Sequence, residues 1–127
     1  MFTQLLAYND VGLFLLRGAV AIVFLVHGWP KISNPKMMAS GIGVPSAVVL
    51  LLGVIEFISA LGLMLGIYTQ LAALLLALVM IGAIMMKYMK WGVPFNAMDK
   101  TGWEFDFILL FACVSILLGG GGPIGLF

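Results

Sequence analysis

The sequence predicts an all-α fold, a four-transmembrane-helix antiparallel bundle with a short interfacial helix between helices 1 and 2. Hydrophobic residues make up 64% of the 127-residue chain and charged residues only 9%, whereas a soluble domain carries about 25% charged residues. Four spans of about 20 residues would occupy about two-thirds of the chain and leave short loops. This composition excludes a soluble domain, a disordered chain and a disulfide-rich secreted module. We therefore expect one integral membrane domain, residues 1–127.

The balance of charge and the cysteine content limit the possible functions further. The net charge is +1, so the totals favour neither a nucleic-acid binder nor an acidic tail. Cys113 is the single cysteine, which rules out an internal disulfide, a Cys-x-x-Cys pair and a structural zinc set. We expect no metal site. Any redox role must use a bound cofactor or the thiols of a partner.

Four apolar runs define the predicted spans, at about residues 11–29, 44–67, 69–87 and 103–119. The first span follows Asp10 without a basic n-region and is too long for the apolar segment of a signal peptide, so we expect it to be retained. Only 68–70 is polar enough to turn the chain between the second and third spans, which predicts a tight antiparallel hairpin. The glycines and proline of 119–123 end the fourth span.

The connection 30–43 is long enough to contain a short helix. Asn34 is suited to the N-cap, Pro35 fits the first helical position, and Gly41 or Gly43 can end the turn. These residues predict the interfacial helix between the first two spans.

The lysines predict the orientation in the membrane. They fall in the two longer connections, 30–43 and 87–102, whereas the N-terminal segment, the hairpin and the C-terminal tail contain no Lys or Arg. The positive-inside rule then places both lysine-bearing loops in the cytoplasm and both termini outside. All three tryptophans would lie at the cytoplasmic face, as in an aromatic belt: Trp29, Trp91 and Trp103.

Two spans each contain a charged residue near the middle, Arg17 in the first and Glu56 in the second. Measured from His27 and Pro45, both lie about 15 Å from the cytoplasmic connection. This equal depth predicts an Arg17–Glu56 ion pair inside the bundle. Charges within a membrane usually mark a pathway or ligand site, and the alternative is a structural clamp that fixes the geometry of the bundle.

A second polar layer is predicted nearer the cytoplasmic surface. His27 and Lys31 are one turn apart on the first helix, Lys87 closes the third helix, and Glu104 and Asp106 open the fourth. With Arg17 and Glu56, these residues would line one cavity that opens toward the cytoplasm. There are structural alternatives: the two acidic residues suit a helix N-terminus, the lysines suit lipid headgroups, and the histidine suits an interfacial hydrogen bond.

The order of these elements resembles the DoxX family of small four-helix membrane proteins. The matching pieces cover nearly the whole chain: Leu16-Arg17-Gly18, Phe24-Leu25-Val26-His27-Gly28-x-x-Lys31, Glu56, Gly62 to Gly66 with Thr69, Ala73 to Ile84, Gly102-x-Glu104-Phe105-Asp106 and Gly122-Pro123. One departure is that many relatives carry a histidine near the end of the third span, where this chain has Lys87 and Lys90. The departure argues against a histidine-based proton relay at that position.

The resemblance implies a membrane subunit of a quinone-linked oxidoreductase system. The founding-type members are quinone-linked subunits of sulfur-compound oxidoreductases; others act beside soluble redox or detoxifying proteins, and distant relatives assist membrane-protein assembly. We therefore expect a polar intramembrane cavity that binds a quinone-like molecule. The predicted catalytic residues are Arg17, Glu56, His27 and Asp106, and the predicted cofactor-binding residues are Arg17, Glu56, His27, Lys31 and Glu104.

The rival hypothesis is a non-catalytic accessory subunit or assembly factor of a larger membrane complex. Its polar core would only hold the helices in shape, so the sequence leaves open whether the chain is itself an enzyme. Under both hypotheses the partners are the lipid bilayer and either protein subunits or further copies of the chain, with no nucleic acid. We expect a bacterial inner (plasma) membrane as the location.

Overall fold

The computed structural model describes residues 2–86, 103–120 and 122–123. After a 3₁₀ helix at Thr3–Tyr8, the α-helices are α1 (Asn9–Ser33), α2 (Pro35–Ile42), α3 (Ser46–Leu65), α4 (Thr69–Met85) and α5 (Trp103–Gly119). The described residues contain no strand, which confirms the all-α prediction. Two helical stretches are long and apolar enough to cross a membrane, Thr3–Ser33 and Ser46–Leu65, and α4 is a shorter apolar helix.

Helix α1 is longer than predicted. The first span was expected to end near residue 29, but α1 continues through Pro30 to Ser33. A proline removes one backbone donor and usually disturbs a helix. Here the carbonyl of Pro30 still accepts the amide N–H of Asn34 at 2.8 Å, which closes the last turn. The extension places Lys31 on the helix, one turn beyond His27.

The short helix predicted between the first two spans is present as α2. Pro35 occupies its first turn, and Gly43 ends it with a left-handed φ of 85°, a conformation that glycine adopts without steric cost. Asn34 precedes the helix, but its side chain makes no capping hydrogen bond. Its amide nitrogen instead donates to the hydroxyl of Ser33 at 3.4 Å.

The chain turns tightly between α3 and α4, at the position where the sequence predicts a hairpin. Helix α3 ends at Leu65, Gly66 takes a left-handed φ of 74°, and the amide of Ile67 donates to the Gly62 carbonyl at 2.9 Å. This hydrogen bond satisfies one of the last carbonyls of α3, as in a Schellman cap. Thr69 then begins α4.

Helix α1 packs mainly on α3, and α4 packs on both α3 and α5. The apolar core contains fully buried side chains from these helices, among them Phe24, Leu63, Leu76 and Ile116. The start of α4 meets the end of α5, because Thr69 Oγ1 donates to the Gly120 carbonyl at 3.0 Å and Gln70 Nε2 donates to the Leu117 carbonyl at 2.9 Å. These two helices are therefore antiparallel.

Replacing both side chains that join α4 to α5 is expected to destabilise the protein. In Thr69→Val/Gln70→Leu, the carbonyls of Leu117 and Gly120 lose their side-chain donors, and each lost hydrogen bond costs about 0.5–1.5 kcal/mol. Thermal unfolding in mild detergent should show a lower midpoint than for Thr3→Val, a control in the exposed 3₁₀ helix. Equal midpoints would show that the two hydrogen bonds contribute nothing to stability.

Candidate functional site

A cavity of about 470 Å³ lies between α1, α3, α4 and α5. Most of its lining is apolar and includes Phe24, Leu52, Met80 and Leu109. Among the described residues, its polar lining consists of four titratable side chains: His27, Lys31, Glu56 and Asp106. The cavity is therefore a largely hydrophobic chamber with a few polar groups, the usual character of a small-molecule site.

The central polar contact of the cavity is a salt bridge between Lys31 and Glu56. Lys31 Nζ lies 2.7 Å from Glu56 Oε2. The glutamate side chain is 1% exposed and the lysine side chain 18% exposed. The second carboxylate oxygen, Oε1, is buried and accepts no hydrogen bond from the described residues. The carboxylate thus has one oxygen held by Lys31 and one that is buried without a hydrogen bond from the described residues.

Two glycines bring α1 and α3 close enough for this salt bridge. A Cβ atom on Gly53 would lie 2.7 Å from the Cβ of Lys31 and 3.1 Å from the carbonyl oxygen of Gly28. A Cβ atom on Gly28 would lie 3.2 Å from the carbonyl oxygen of Gly53 and 3.4 Å from the Cβ of Glu56. Any larger residue at position 53 would push the helices apart and separate the two charges.

The role of these two glycines in helix packing was not predicted, although the sequence contains a signal for it. Gly28 stands three residues before Lys31, and Gly53 stands three residues before Glu56. Residues three apart share a helix face, so each charge has a glycine beside it on the packed face. The repeated Gly-x-x-charge pattern on two helices indicates a close crossing with an ion pair.

The predicted Arg17–Glu56 ion pair is wrong, because the salt-bridge partner of Glu56 is Lys31. The error came from ending the first helix near His27. Arg17 lies 16 residues before the end of α1, and Glu56 lies 10 residues after the start of α3. At about 1.5 Å per residue these depths are roughly 24 and 15 Å, so the two charges are not level.

Arg17 lies outside the lining of the cavity. Its side chain is 1% exposed, and the guanidinium carbon lies 5.2 Å from the centre of the Phe14 ring. A cation at this distance from an aromatic ring is attracted to its face. The structure therefore places the buried arginine outside the lining of the cavity that it was predicted to share.

His27 and Asp106 both line the cavity, as predicted. The Nδ1 atom of His27 donates to the Val23 carbonyl at 2.8 Å. Because a carbonyl can only accept, this bond puts the hydrogen on Nδ1 and leaves Nε2 as the acceptor of the neutral ring. The imidazole is exposed and lies 5.6 Å from the ring of Phe105. Asp106 is buried, with an exposure of 7%.

Glu104 is exposed on the first turn of α5 and is not part of the cavity lining. Its position fits the alternative role of an acidic residue near a helix N-terminus. Lys87 and Lys90, and with them the predicted loop 87–102, lie outside the described residues. Within the described part of the chain, no three His, Cys, Asp or Glu side chains are grouped as metal ligands.

The geometry of the cavity suits a ligand that has both a polar and an apolar part. The ammonium group of Lys31 has three hydrogens to donate, and one of them serves Glu56. The remaining donors can bind a ligand carbonyl or hydroxyl oxygen, and the Glu56 carboxylate can accept a hydrogen bond from a ligand hydroxyl. The aliphatic lining would cover the rest of such a molecule.

Comparison with known proteins gives the family of the chain. Residues 12–89 match the sequence profile of the DoxX family. A Bacillus subtilis protein with the name "Putative oxidoreductase CatD" is 32% identical over 114 residues, which covers 87% of this chain and 81% of that protein. No solved structure matches. The family profile spans more than half of this chain, and the relative aligns with most of it. This chain therefore belongs to the DoxX family.

Proposed function

We propose that the protein is a membrane component of an oxidoreductase system and that its cavity binds the head group of a quinone-like molecule. The observation that carries the proposal is the buried Lys31–Glu56 salt bridge in the wall of a largely apolar cavity of about 470 Å³. Taking two charges out of water is costly, and intramembrane charges of this kind usually mark functional sites. The name of the Bacillus subtilis relative supports the redox assignment.

The residues present fit a quinone. Small-molecule cavities usually measure roughly 300–1,000 Å³, and this one falls within that range at about 470 Å³. The apolar walls suit an aromatic ring and an isoprenoid tail. The carbonyl oxygens of a quinone need hydrogen-bond donors, which Lys31 supplies. A bound quinone would supply a two-electron acceptor, whereas this chain has only Cys113 as a thiol, so the electrons would come from a partner protein.

Four side chains of this chain have assignable tasks in the proposed site. Lys31 holds the Glu56 carboxylate and donates a hydrogen bond to a ligand oxygen. Glu56, which lines the cavity, can hold a proton or accept one from a ligand hydroxyl. His27 combines exposure with a place in the lining, so its Nε2 atom can exchange protons with water. Asp106 adds a buried carboxyl group on the α5 side.

We also propose that α1, α3, α4 and α5 are the four spans of an antiparallel bundle. The antiparallel contact of α4 with α5 and the tight turn between α3 and α4 support this topology. The lysine distribution supports an orientation with loops 30–43 and 87–102 in the cytoplasm of a bacterium and both termini outside.

The binding proposal predicts that gently purified protein retains quinone. The protein is extracted in mild detergent or nanodiscs, and lipophilic molecules bound to it are quantified by mass spectrometry. Losing a hydrogen bond to a charged group costs about 1.5–3 kcal/mol, so Glu56→Gln should retain roughly tenfold to a hundredfold less quinone. Glu104→Gln is the matched control, because it makes the same change at an exposed carboxylate outside the cavity.

Two outcomes contradict the quinone proposal. One is wild-type protein that carries no quinone and binds none when it is added. The other is equal retention by Glu56→Gln and Glu104→Gln. Either result would favour the rival function, a non-catalytic accessory subunit or assembly factor.

A further inference from the structure

The cavity lies at one end of the α3–α4 pair. The two helices meet at their turn, where the Gly66 cap joins them. The lining residues of α3 come from its first half, up to Glu56, and those of α4 from its second half, from Leu78 to Met86. The cavity therefore lies along the halves of α3 and α4 that are remote from the turn. Each helix contributes part of its wall.

The gap between α3 and α4 is open at the level of the cavity. Val48 on α3 and Leu78 on α4 both line the cavity and yet are 42% and 56% exposed. Gly82, which also lines the cavity, is exposed, and a Cβ atom built on it meets nothing within 4 Å. No side chain of the described residues fills the space beside this glycine.

If α4 spans the bilayer, as proposed, the part of this opening beside Leu78 faces hydrocarbon. Leu78 is the tenth of the 17 residues of α4, so it lies near the middle of the helix. In a spanning helix this position is within the apolar core of the bilayer. The rim residues are aliphatic, as a lipid-facing opening requires, whereas the polar groups of the cavity lie at its inner side.

Glu56 lies nine residues before the end of α3 and Leu78 nine residues after the start of α4, so the salt bridge and the opening beside Leu78 are at the same level. From Glu56, Leu52 and Val48 follow at intervals of one turn and line the same cavity. Eight residues of helix correspond to about 12 Å. A molecule with its polar head at Glu56 would thus extend its apolar part past Leu52 into the gap beside Gly82, which is level with Leu52.

We propose that the ligand reaches the cavity from within the bilayer, through the gap between α3 and α4, and that it is an amphiphile with a long hydrocarbon chain. Its polar head binds at the Lys31–Glu56 salt bridge, and its chain passes Gly82 into the lipid. The identity of the head group as a quinone rests on the proposed function. The route does not, because it follows from the position of the opening.

A bulky side chain at position 82 tests the route. Gly82→Phe should fill the gap and leave the fold intact, because open space surrounds that position. Gly12→Phe is the matched control, since a Cβ atom there also meets nothing within 4 Å but the residue lies outside the lining. Binding to protein in nanodiscs is measured for a quinone with a polyprenyl tail, loaded into the bilayer, and for a tail-less quinone added from water.

For Gly82→Phe we expect at least about a tenfold loss of affinity for the long-tailed quinone, about 1.4 kcal/mol, and a much smaller loss for the tail-less one. Gly12→Phe should bind both as the wild type does. Equal affinities of wild type and Gly82→Phe for the long-tailed quinone would overturn the lateral route. So would an equal loss for both quinones, which would show that the introduced ring acts on the head-group site.

A second measurement needs neither a variant nor a quinone. A long-chain alcohol with a diazirine beside its hydroxyl group is dissolved in the bilayer, illuminated and located on the wild-type protein by mass spectrometry. We expect labels on the cavity side of α3, at Leu52 and Glu56, as well as on lipid-facing Ile58. Labels on Ile58 alone would overturn the lateral route.

The two proposals fail in different ways. If the alcohol labels the cavity but no quinone binds, the lateral route stands and the quinone proposal fails. If quinone binds equally well to wild type and Gly82→Phe and the alcohol does not label the cavity, the proposed function stands and the lateral route fails.

Discussion

Replacing Lys31 by methionine is expected to destabilise the protein by about 3–5 kcal/mol, the usual cost of removing one partner of a buried ion pair. The cost arises from the Glu56 carboxylate, which is 1% exposed and has Lys31 as its salt-bridge partner. Methionine keeps most of the length and apolar surface of the lysine side chain, so the change removes mainly the charge. Lys36→Met is the matched control, because Lys36 is exposed on α2.

The double variant Lys31→Met/Glu56→Leu separates the charge effect from a packing effect. Apolar replacement of both members of a buried pair is often neutral or stabilising, so the double variant should be more stable than Lys31→Met alone. Unfolding midpoints of wild type, both single variants and the double variant in the same detergent give the coupling energy of the pair. Additive losses would mean that the two charges do not depend on each other.

The second large effect is expected at Gly53, where Gly53→Ala should destabilise the protein by about 1–3 kcal/mol, as overpacking usually does. The added Cβ would lie 2.7 Å from the Cβ of Lys31, and neither atom belongs to the movable end of a side chain. The helices must separate, which also lengthens the Lys31–Glu56 contact. Quinone retention should therefore fall together with stability.

Gly18→Ala is the control for Gly53→Ala, because a Cβ atom on Gly18 meets nothing within 4 Å. Alanine is favoured over glycine in a helix by about 0.8–1 kcal/mol, so this change should be neutral or stabilising. The two variants are compared by thermal unfolding and by retained quinone. If Gly53→Ala were as stable as Gly18→Ala, the glycines would not control the distance between α1 and α3.

Much of the fold follows from the composition and from local turn signals. The apolar runs predict the helices, the polar residues after Gly66 predict the hairpin, and Pro35 with Gly43 predicts the short helix α2. Each of these signals depends on only a few neighbouring residues. The structure it predicts therefore does not depend on tertiary contacts.

Pairing between helices was less predictable, because it depends on where each helix ends. The depth of Arg17 was measured from His27, yet α1 continues to Ser33 and its last turn closes through the Asn34 amide. The six additional residues shift the depth of a side chain by about 9 Å, more than the reach of an ion pair. The sequence therefore identified His27, Lys31, Glu56 and Asp106 as neighbours of one cavity but assigned Arg17 to Glu56.

The most direct test of the binding site is an infrared difference spectrum of the protein in nanodiscs, recorded on addition of a quinone. The proposed site predicts a shifted carboxyl band in the wild type that persists in Glu104→Gln and disappears in Glu56→Gln. A spectrum with no carboxyl change, or one that is the same in Glu56→Gln, would contradict a ligand head group at the Lys31–Glu56 salt bridge.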